Sequence, residues 1–488
     1  MRAAAITIAI AMVGVACGQK PGVHTGGLAG DPTLGGVPAG ATEPYVDPAT
    51  GQVYDPATGG YVDPATGTTT TPGTTSPGGT TGTDPGTTTP GDTSGGGDQQ
   101  GGGGGDQGGG GDQETQDQGD QDQPPVGTDR TGVTDKDIVV GIHAPVTGAA
   151  PVRQDSFNTG RQQYWDAGDN GKPITVHGRR VKVVFADDRY NPSTARSECQ
   201  RMAEQEKAFL LVGGAGTDQI KACAQYAAGK GIPYLSAGVT EIGLDGLSNY
   251  FGLSMSYPDQ APLLADYAKK TFPSLKRVAI IATDTTNFDD AASALQKAFP
   301  GSQVFRPSKN ARGQEWSDRV CNGTTKRFDL VIPLTSPTFF LELEETAVCG
   351  PQYIGIGLTM GVDTVPNVGC QGVGSMSGSR FFNPFYAFRD AQEKNKDFIK
   401  AGGKDDIQFA LWGLNKTIHE LLLEAGRDLT REGFIYAAQN ASVKTGIFPD
   451  LNFKGGKRWG ANTVHVVRAY CEGGRGFYRT EAYHKSGF

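Results

Sequence analysis

FLLVGGAGTDQIKACAQYAAGKGIPYLSAGVT, residues 209–240, is the stretch whose reading decides the fold. It opens on a short apolar run, 209–212, of the length and kind expected for a buried parallel strand. The turn Gly213-Gly214-Ala215-Gly216-Thr217 follows, with no bulky side chain. An amphipathic helix is predicted over about 218–230, with Ile220, Cys223, Ala224 and Ala227 on one face and Gly231 as its stop. Ile232-Pro233-Tyr234-Leu235 then starts a second strand, which ends in Ser236-Ala237-Gly238-Val239-Thr240. This is a strand–helix–strand unit with small hydroxyl residues at both strand ends. Ligands of open α/β sheets sit outside the carboxyl ends of the strands, and bare amides at a helix start suit an anion. Thr217, Gly238 and Thr240 are therefore expected to form one polar rim. The plainer alternative is a glycine-rich turn followed by a strand. The glycines fit neither the dinucleotide fingerprint nor a P-loop, which needs a Gly-Lys-Ser/Thr ending.

Val212-Gly213…Thr217, Gly231-Ile232-Pro233 and Ser236…Thr240 together resemble the leucine/isoleucine/valine-binding family of type I periplasmic binding proteins. That family typically reads V-G-x-x-x-S, a helix, G-[IV]-P, a short strand and S-P-x-A-T, and uses these positions to grip the carboxylate and amino groups of an amino acid. Thr217 in place of Ser keeps the hydroxyl. Further matches follow the family's order. Ile138-Val139-Val140-Gly141-Ile142 with Pro145-Val146-Thr147-Gly148 resembles its opening strand and turn, and Asp187-Asp188…Pro192 its D-D-x-x-x-P segment. Thr445-Gly446-Ile447…Phe453 resembles the turn before its last strands. The Asp187-Asp188 pair has no companion His or Cys nearby in sequence, so it is read as capping. The loop 149–156 is expected to overhang a cleft, with Arg153 and Gln154 as contacts or simply as solvated residues.

The resemblance implies an α/β chain of two lobes. Each lobe has a mainly parallel sheet flanked by helices, and three crossings form the hinge. Lobe 1 is expected at about 136–255 and 385–452, lobe 2 at about 256–384 and 453–488, with the second crossing at 381–386. Asn287-Phe288 stands where the family often has Tyr-Gly, so Phe288 is expected either to cover the ligand or to sit in the core. Strand ends at 335–336 and 358–360 add Thr335, Ser336 and Thr359 to the second lobe's side of the site. Leucine-binding members carry a Glu in that last loop to meet the ligand ammonium. Here the next acid is Asp363, several residues on, which puts an α-amino acid ligand in doubt.

The 488 residues carry a formal charge of −8 that is unevenly spread. Residues 18–130 hold fifteen acids and two basic residues, whereas 131–488 hold 37 acids against 41 Lys and Arg. Neither part has a basic stripe interleaved with aromatics, so nucleic acid is excluded as a partner. Residues 1–17 read as a targeting segment: Arg2, an apolar run over 3–13, then Gly14-Val15-Ala16-Cys17. These last four residues resemble a bacterial lipobox with Gly14 where Leu is usual. Cys17 is the expected lipidation site, an ordinary signal peptide being the alternative. Residues 18–130, rich in Gly, Pro, Thr and Asp, read as a disordered tether containing Tyr-x-Asp-Pro-Ala-Thr-Gly at Tyr45 and Tyr61 and a shortened copy at Tyr54. A coil of this length has a mean reach of roughly 60 Å. The folded region is 131–488.

Six cysteines remain in the exported part, an even number that points to disulfides. The pairing expected is Cys199–Cys223, Cys321–Cys349 and Cys370–Cys471, because each pair then lies within one lobe and leaves the hinge free. Neither Cys/His metal spacing nor a GxSxG or HExxH motif occurs, so no metal, cofactor or enzymatic activity is expected. The function implied is that of a lipid-anchored, extracytoplasmic binding protein, acting as a monomer. It would capture a branched-chain amino acid or related carboxylate or amide for an ABC permease. A ligand-sensing lipoprotein of the same fold, or an adhesive wall-binding one, are the alternatives.

Overall fold

Runs such as Leu210-Leu211-Val212 and Val278-Ala279-Ile280-Ile281, buried on both faces, have one structural solution, a parallel strand covered by helices above and below. The computed structural model contains two such sheets. It describes residues 45–46, 53–55, 60–62, 69–70, 127–148, 151–168, 172–357, 360–371 and 376–485. The signal segment with Cys17, and Thr359, lie outside the described residues.

The first sheet is made of β1 (Asp137–Ala144), β2 (Thr175–Val176), β3 (Arg179–Asp187), β4 (Leu210–Gly213), β5 (Tyr234–Ser236) and β6 (Tyr250–Gly252). Its order is β6-β5-β4-β1-β3-β2, parallel throughout except for the β2–β3 pair. The second comprises β7 (Val278–Ala282), β8 (Gln303–Phe305), β9 (Leu330–Leu334), β10 (Gln352–Ile356), β11 (Arg380–Asn383), β12 (Thr463–Glu472) and β13 (Arg475–Lys485). Its order is β8-β7-β9-β10-β11-β12-β13, and only the last two pairings are antiparallel. The expected two-lobed α/β architecture is therefore present. The last two strands form a long hairpin. Gly473 and Gly474, with φ of 58° and 74°, supply the two left-handed positions that a tight hairpin turn needs, and so return the chain as β13.

The helices that matter below are α1 (Gln154–Asp166), α2 (Pro192–Glu204), α3 (Thr217–Gly229), α4 (Tyr257–Thr271), α5 (Asp289–Ala298), α6 (Pro337–Thr346), α7 (Thr364–Gly369), α8 (Asp406–Glu424) and α9 (Arg431–Asn440). The C-terminal pair α8 and α9 completes the first lobe. Trp165 on α1 donates to Asn415 Oδ1 at 3.0 Å, and Asn415 returns a bond to the Arg161 carbonyl at 3.0 Å. The buried Arg431 guanidinium on α9 reaches the carbonyls of Ala208 at 2.6 Å and Phe209 at 3.0 Å, fixing the entry to β4.

The chain crosses between lobes three times. The first and third crossings run side by side: Gly252 donates to the Arg458 carbonyl at 2.6 Å and accepts from Gly460 at 2.9 Å. The second follows β11, where Phe385 and Tyr386 pack on Phe409 of α8. Residues 380–383 are β11, and the helix Phe388–Lys394 still packs on β13, with Ala387 donating to Thr480 Oγ1 at 2.9 Å. All three expected disulfides form, Cys199–Cys223, Cys321–Cys349 and Cys370–Cys471, with Cα separations of 5.9, 5.7 and 5.5 Å. The first staples α2 to α3 and the other two lie within the second lobe.

In the N-terminal unit the repeats contain strands where only a spacer was expected. Tyr45–Val46, Val53–Asp55, Gly60–Val62 and Thr69–Thr70 form an antiparallel meander, with Tyr45 opposite Tyr54 and Tyr54 opposite Tyr61. Tyr and Val favour strands locally even in a glycine- and proline-rich background.

Candidate functional site

The loop after β4 is shaped by two glycines. A side chain at Gly213 would collide with the Tyr234 hydroxyl, and Gly216 has φ 83°. Only a bare backbone allows β5 to lie so close and α3 to start so abruptly. Behind this loop runs a fully buried chain of polar groups. His143 Nδ1 meets Asp188 Oδ2 at 2.8 Å and His143 Nε2 meets the Tyr234 hydroxyl at 2.7 Å. Asp188 also accepts from the Tyr190 amide at 2.9 Å, and Asp187 from the amides of Val146 at 3.0 Å and Arg189 at 3.0 Å. The acid pair thus caps loops. Cys199 and Cys223 approach His143 as a potential ligand cluster, but both thiols are consumed by their disulfide.

One end of the interlobe cleft is a polar clasp. Thr240, fully buried, donates to Asp290 Oδ2 at 2.7 Å, and the Glu241 amide donates to the same oxygen at 2.7 Å. Asp290 belongs to α5 of the second lobe, so both bonds join the lobes. Asn287 donates to the Asp218 carboxylate of α3, and Lys309 stands 3.9 Å from that acid. Thr217 lies beside Tyr257, whose burial pushes its pKa up to about 12. Phe288 stacks on Tyr257, centroids 6.1 Å apart.

The other end is a cavity of about 550 Å³ with walls from both lobes. The first lobe contributes Ala144, Gly213, Gly214, Ala215 and Ala237 at the strand ends, and Ile407, Ala410, Leu411 and Leu414 from α8. The second contributes Pro337 and Leu341 of α6, Val365 and Val368 of α7, and Phe385. Its charged residues, Arg153, Glu342 and Glu345, are few. Glu342 is already engaged, by Arg312 at 3.2 Å and the Gly313 amide at 2.8 Å. Arg153 precedes α1, and its nearest acid, Asp405, is 4.0 Å away.

Beside the cavity two acids meet across the lobes. The Asp363 amide donates to Asp406 Oδ2 at 2.6 Å, and the Asp363 carboxylate accepts from the Tyr478 amide at 2.9 Å. Burial, and for Asp406 the neighbouring Asp363, raise both above the ordinary carboxylate range, to about 6 and about 7.

Of the residues expected at the site, Thr217, Thr240 and Phe288 come together in the clasp, with the Thr240 hydroxyl spent on Asp290. The Gly238 amide is spent on Ser254 Oγ at 2.7 Å. Ser336 caps α6 by accepting from Phe339 at 3.3 Å, and the Thr335 hydroxyl turns to the Ser336 carbonyl at 3.2 Å; their successor Pro337 lines the cavity. Gln154 is the exposed first residue of α1. Sequence reading missed α8's second face. Ile407, Ala410, Leu411 and Leu414 follow helical spacing on a side distinct from the core residues Phe409 and Trp412, and a helix apolar on two faces is the available signal.

Comparison with known proteins agrees with this layout. A family model described as periplasmic binding protein matches residues 137–471, more than half of the chain. The chain belongs to the periplasmic binding protein family. Within the structural neighbours of this family member, a solute-binding protein of an ABC transporter from Rhodopseudomonas palustris, in complex with 4-hydroxybenzoate, superposes with a TM-score of 0.59 at 18% identity. That match covers 72% of this chain and 98% of the other. A leucine-binding protein from Thermotoga maritima gives 0.58 at 16% identity, covering 72% and 99%. An amino acid binding protein of Pseudomonas aeruginosa is 28% identical over 167 residues, 33% of this chain. The match spans 42% of that relative's length. Among the described residues no helix of this periplasmic binding protein is long and apolar enough to cross a membrane.

Proposed function

We propose that the chain is a lipid-anchored extracytoplasmic solute-binding protein, which captures a small organic solute between its lobes and presents it to the permease of an ABC importer. The observation that carries this reading is the cavity of about 550 Å³ walled by both lobes, next to interlobe bonds that exist only when the lobes are together. Such an arrangement couples occupancy to closure, because whatever fills the cavity contacts strand ends on one side and α6 and α7 on the other. A permease can then distinguish loaded from empty protein by shape alone. The three disulfides support the exported setting. The small residues before Cys17 support acylation there, and two or more acyl chains suffice for stable attachment.

The test uses the mature lipoprotein purified in detergent. It is screened against a metabolite library by thermal shift, and hits are followed by small-angle scattering. A bound solute at 100 times its dissociation constant stabilises the native state by about 2.7 kcal/mol, and the scattering radius should shrink. A library without a single stabilising compound would sink the reading. In cells, Cys17→Ser should move the protein from the membrane fraction to the soluble one.

A further inference from the structure

We infer that the solute is an apolar monocarboxylate without an α-ammonium group, its hydrocarbon body in the interlobe cavity and its carboxylate at Arg153. This rests on the solute-binding reading and names the ligand class of that site.

The first argument is the fate of the acids. An α-amino acid carries an ammonium next to its carboxylate, and burying that cation requires a carboxylate with free capacity beside it. Around this cleft the acids, Glu345 at the solvent-exposed rim excepted, are committed elsewhere. Asp188 is held by His143 and the Tyr190 amide, Asp218 by Asn287 and Asp290 by Thr240 and the Glu241 amide. Asp363 stands nearest in sequence to the place where an ammonium acceptor was sought, and its carboxylate takes the Tyr478 amide. Glu342 is held by Arg312 and Gly313, and Glu345 is on the exposed rim of α6.

The second argument is the wall. Leu253, Leu341, Val365, Phe385, Leu411 and Leu414 offer hydrocarbon and nothing to hydrogen-bond. The lining hydroxyls are only Ser236, which already donates to the Ala237 carbonyl at 2.7 Å, Thr338 and Thr364, so a polar solute would recover little of its lost hydration there, whereas an apolar body gains on the order of 25 cal/mol for each Å² removed from water. The volume also speaks against a small amino acid. About 550 Å³ is room for on the order of eighteen water-sized groups, well beyond an isobutyl side chain.

The third is charge. Among the described residues lining the cavity, Arg153 is the one cation, and it is loosely held, with Asp405 at 4.0 Å and a side chain 61% exposed. A guanidinium in that state can take a carboxylate in bidentate fashion at little cost to existing contacts.

The experiment measures calorimetric binding of decanoate, 4-methylpentanoate, leucine and decanol to the delipidated full-length mature chain and to its Arg153→Met variant. The inference expects decanoate to bind at least 100-fold more tightly than leucine, with 4-methylpentanoate between them. Arg153→Met should weaken decanoate about tenfold and leave decanol unchanged, which separates a direct charge contact from general damage. Leucine binding as tightly as decanoate, or equal losses for decanoate and decanol in the variant, would overturn it. Tight leucine binding with closure would leave the solute-binding reading standing. Binding of none of the four overturns the inference, and the metabolite screen then decides separately whether the broader reading survives.

Discussion

The two ends of the interlobe cleft are built from opposite chemistry. At the clasp, Asp290 takes two hydrogen bonds from the other lobe, and Phe288 stacks on Tyr257 beside Thr217. At the cavity the facing walls are mostly hydrocarbon, and they leave about 550 Å³ between them. The polar end is satisfied by protein alone and the apolar end is not. Directional bonds fix how the lobes meet, while undirected apolar burial is what a solute supplies. Closure and selectivity should therefore be separable by mutation.

The largest effect is expected from filling the cavity. Ala410→Trp places an indole where the solute's hydrocarbon would lie, on a helix whose other face carries the packing of Phe409 and Trp412. Solute affinity should fall at least 100-fold, about 2.7 kcal/mol, with no loss of thermal stability because the new side chain occupies existing space. Unchanged affinity would move the ligand out of this cavity. The clasp should respond differently. Asp290→Ala removes the acceptor of two interlobe bonds and should weaken every ligand about 10- to 30-fold, consistent with charge-assisted bonds of roughly 1.5–3 kcal/mol. The ranking of ligands should stay the same, and a changed ranking would erase the division between the two ends.

This division explains what the sequence could reveal. The strand–helix–strand unit at 209–240 was legible because Gly213, Gly216 and the buried run before them leave few alternatives. Confining each pair to one lobe fixed Cys199–Cys223 and left three ways to join the four cysteines of the second lobe, and the folded chain shows which one forms. Hydroxyl residues at strand ends can be picked out in sequence, yet a hydroxyl does not announce its partner. Thr240 faces Asp290, fifty positions away, and only the folded chain shows that its donor is used. The cavity was invisible for a related reason. Leu411 and Leu414 look the same in sequence whether they face a core or an empty space, and the closing surfaces Val365 and Phe385 come from another lobe.

A smaller effect should appear with pH at the boundary between the two ends. Asp363 and Asp406, raised to about 6 and about 7 chiefly by burial, bind protons in the folded chain that they release when unfolded. Stability therefore falls as pH rises from about 4, the unfolded value, to about 7, and is level above that, with a loss on the order of a few kcal/mol per carboxylate. The groups facing the pair are Asp405, which disfavours ionisation, and Arg389, which favours it at Asp363. His465 acts oppositely: burial pushes it down to about 4, so the unfolded chain protonates first and acidification below about 6.5 costs stability. Urea unfolding across this range should show the decline towards alkaline pH in the native chain and a flatter profile in Asp363→Asn. A decline that persists in that variant and in Asp406→Asn would assign it to other groups.

The smallest effect tests the residue that sequence reading weighted most heavily. Had the Thr217 hydroxyl been a buried ligand anchor, Thr217→Ala would cost about 1–3 kcal/mol of binding. In the folded chain that hydroxyl faces Tyr257, a buried phenol, and not open cleft. Its removal should therefore appear as a stability loss of about 0.5–1.5 kcal/mol, with solute affinity within twofold of the native chain. Thr217→Ser, which keeps the donor, should restore the stability. A loss confined to affinity would mean that Thr217 turns from Tyr257 to the solute when it arrives, and the clasp would then belong to the binding site after all.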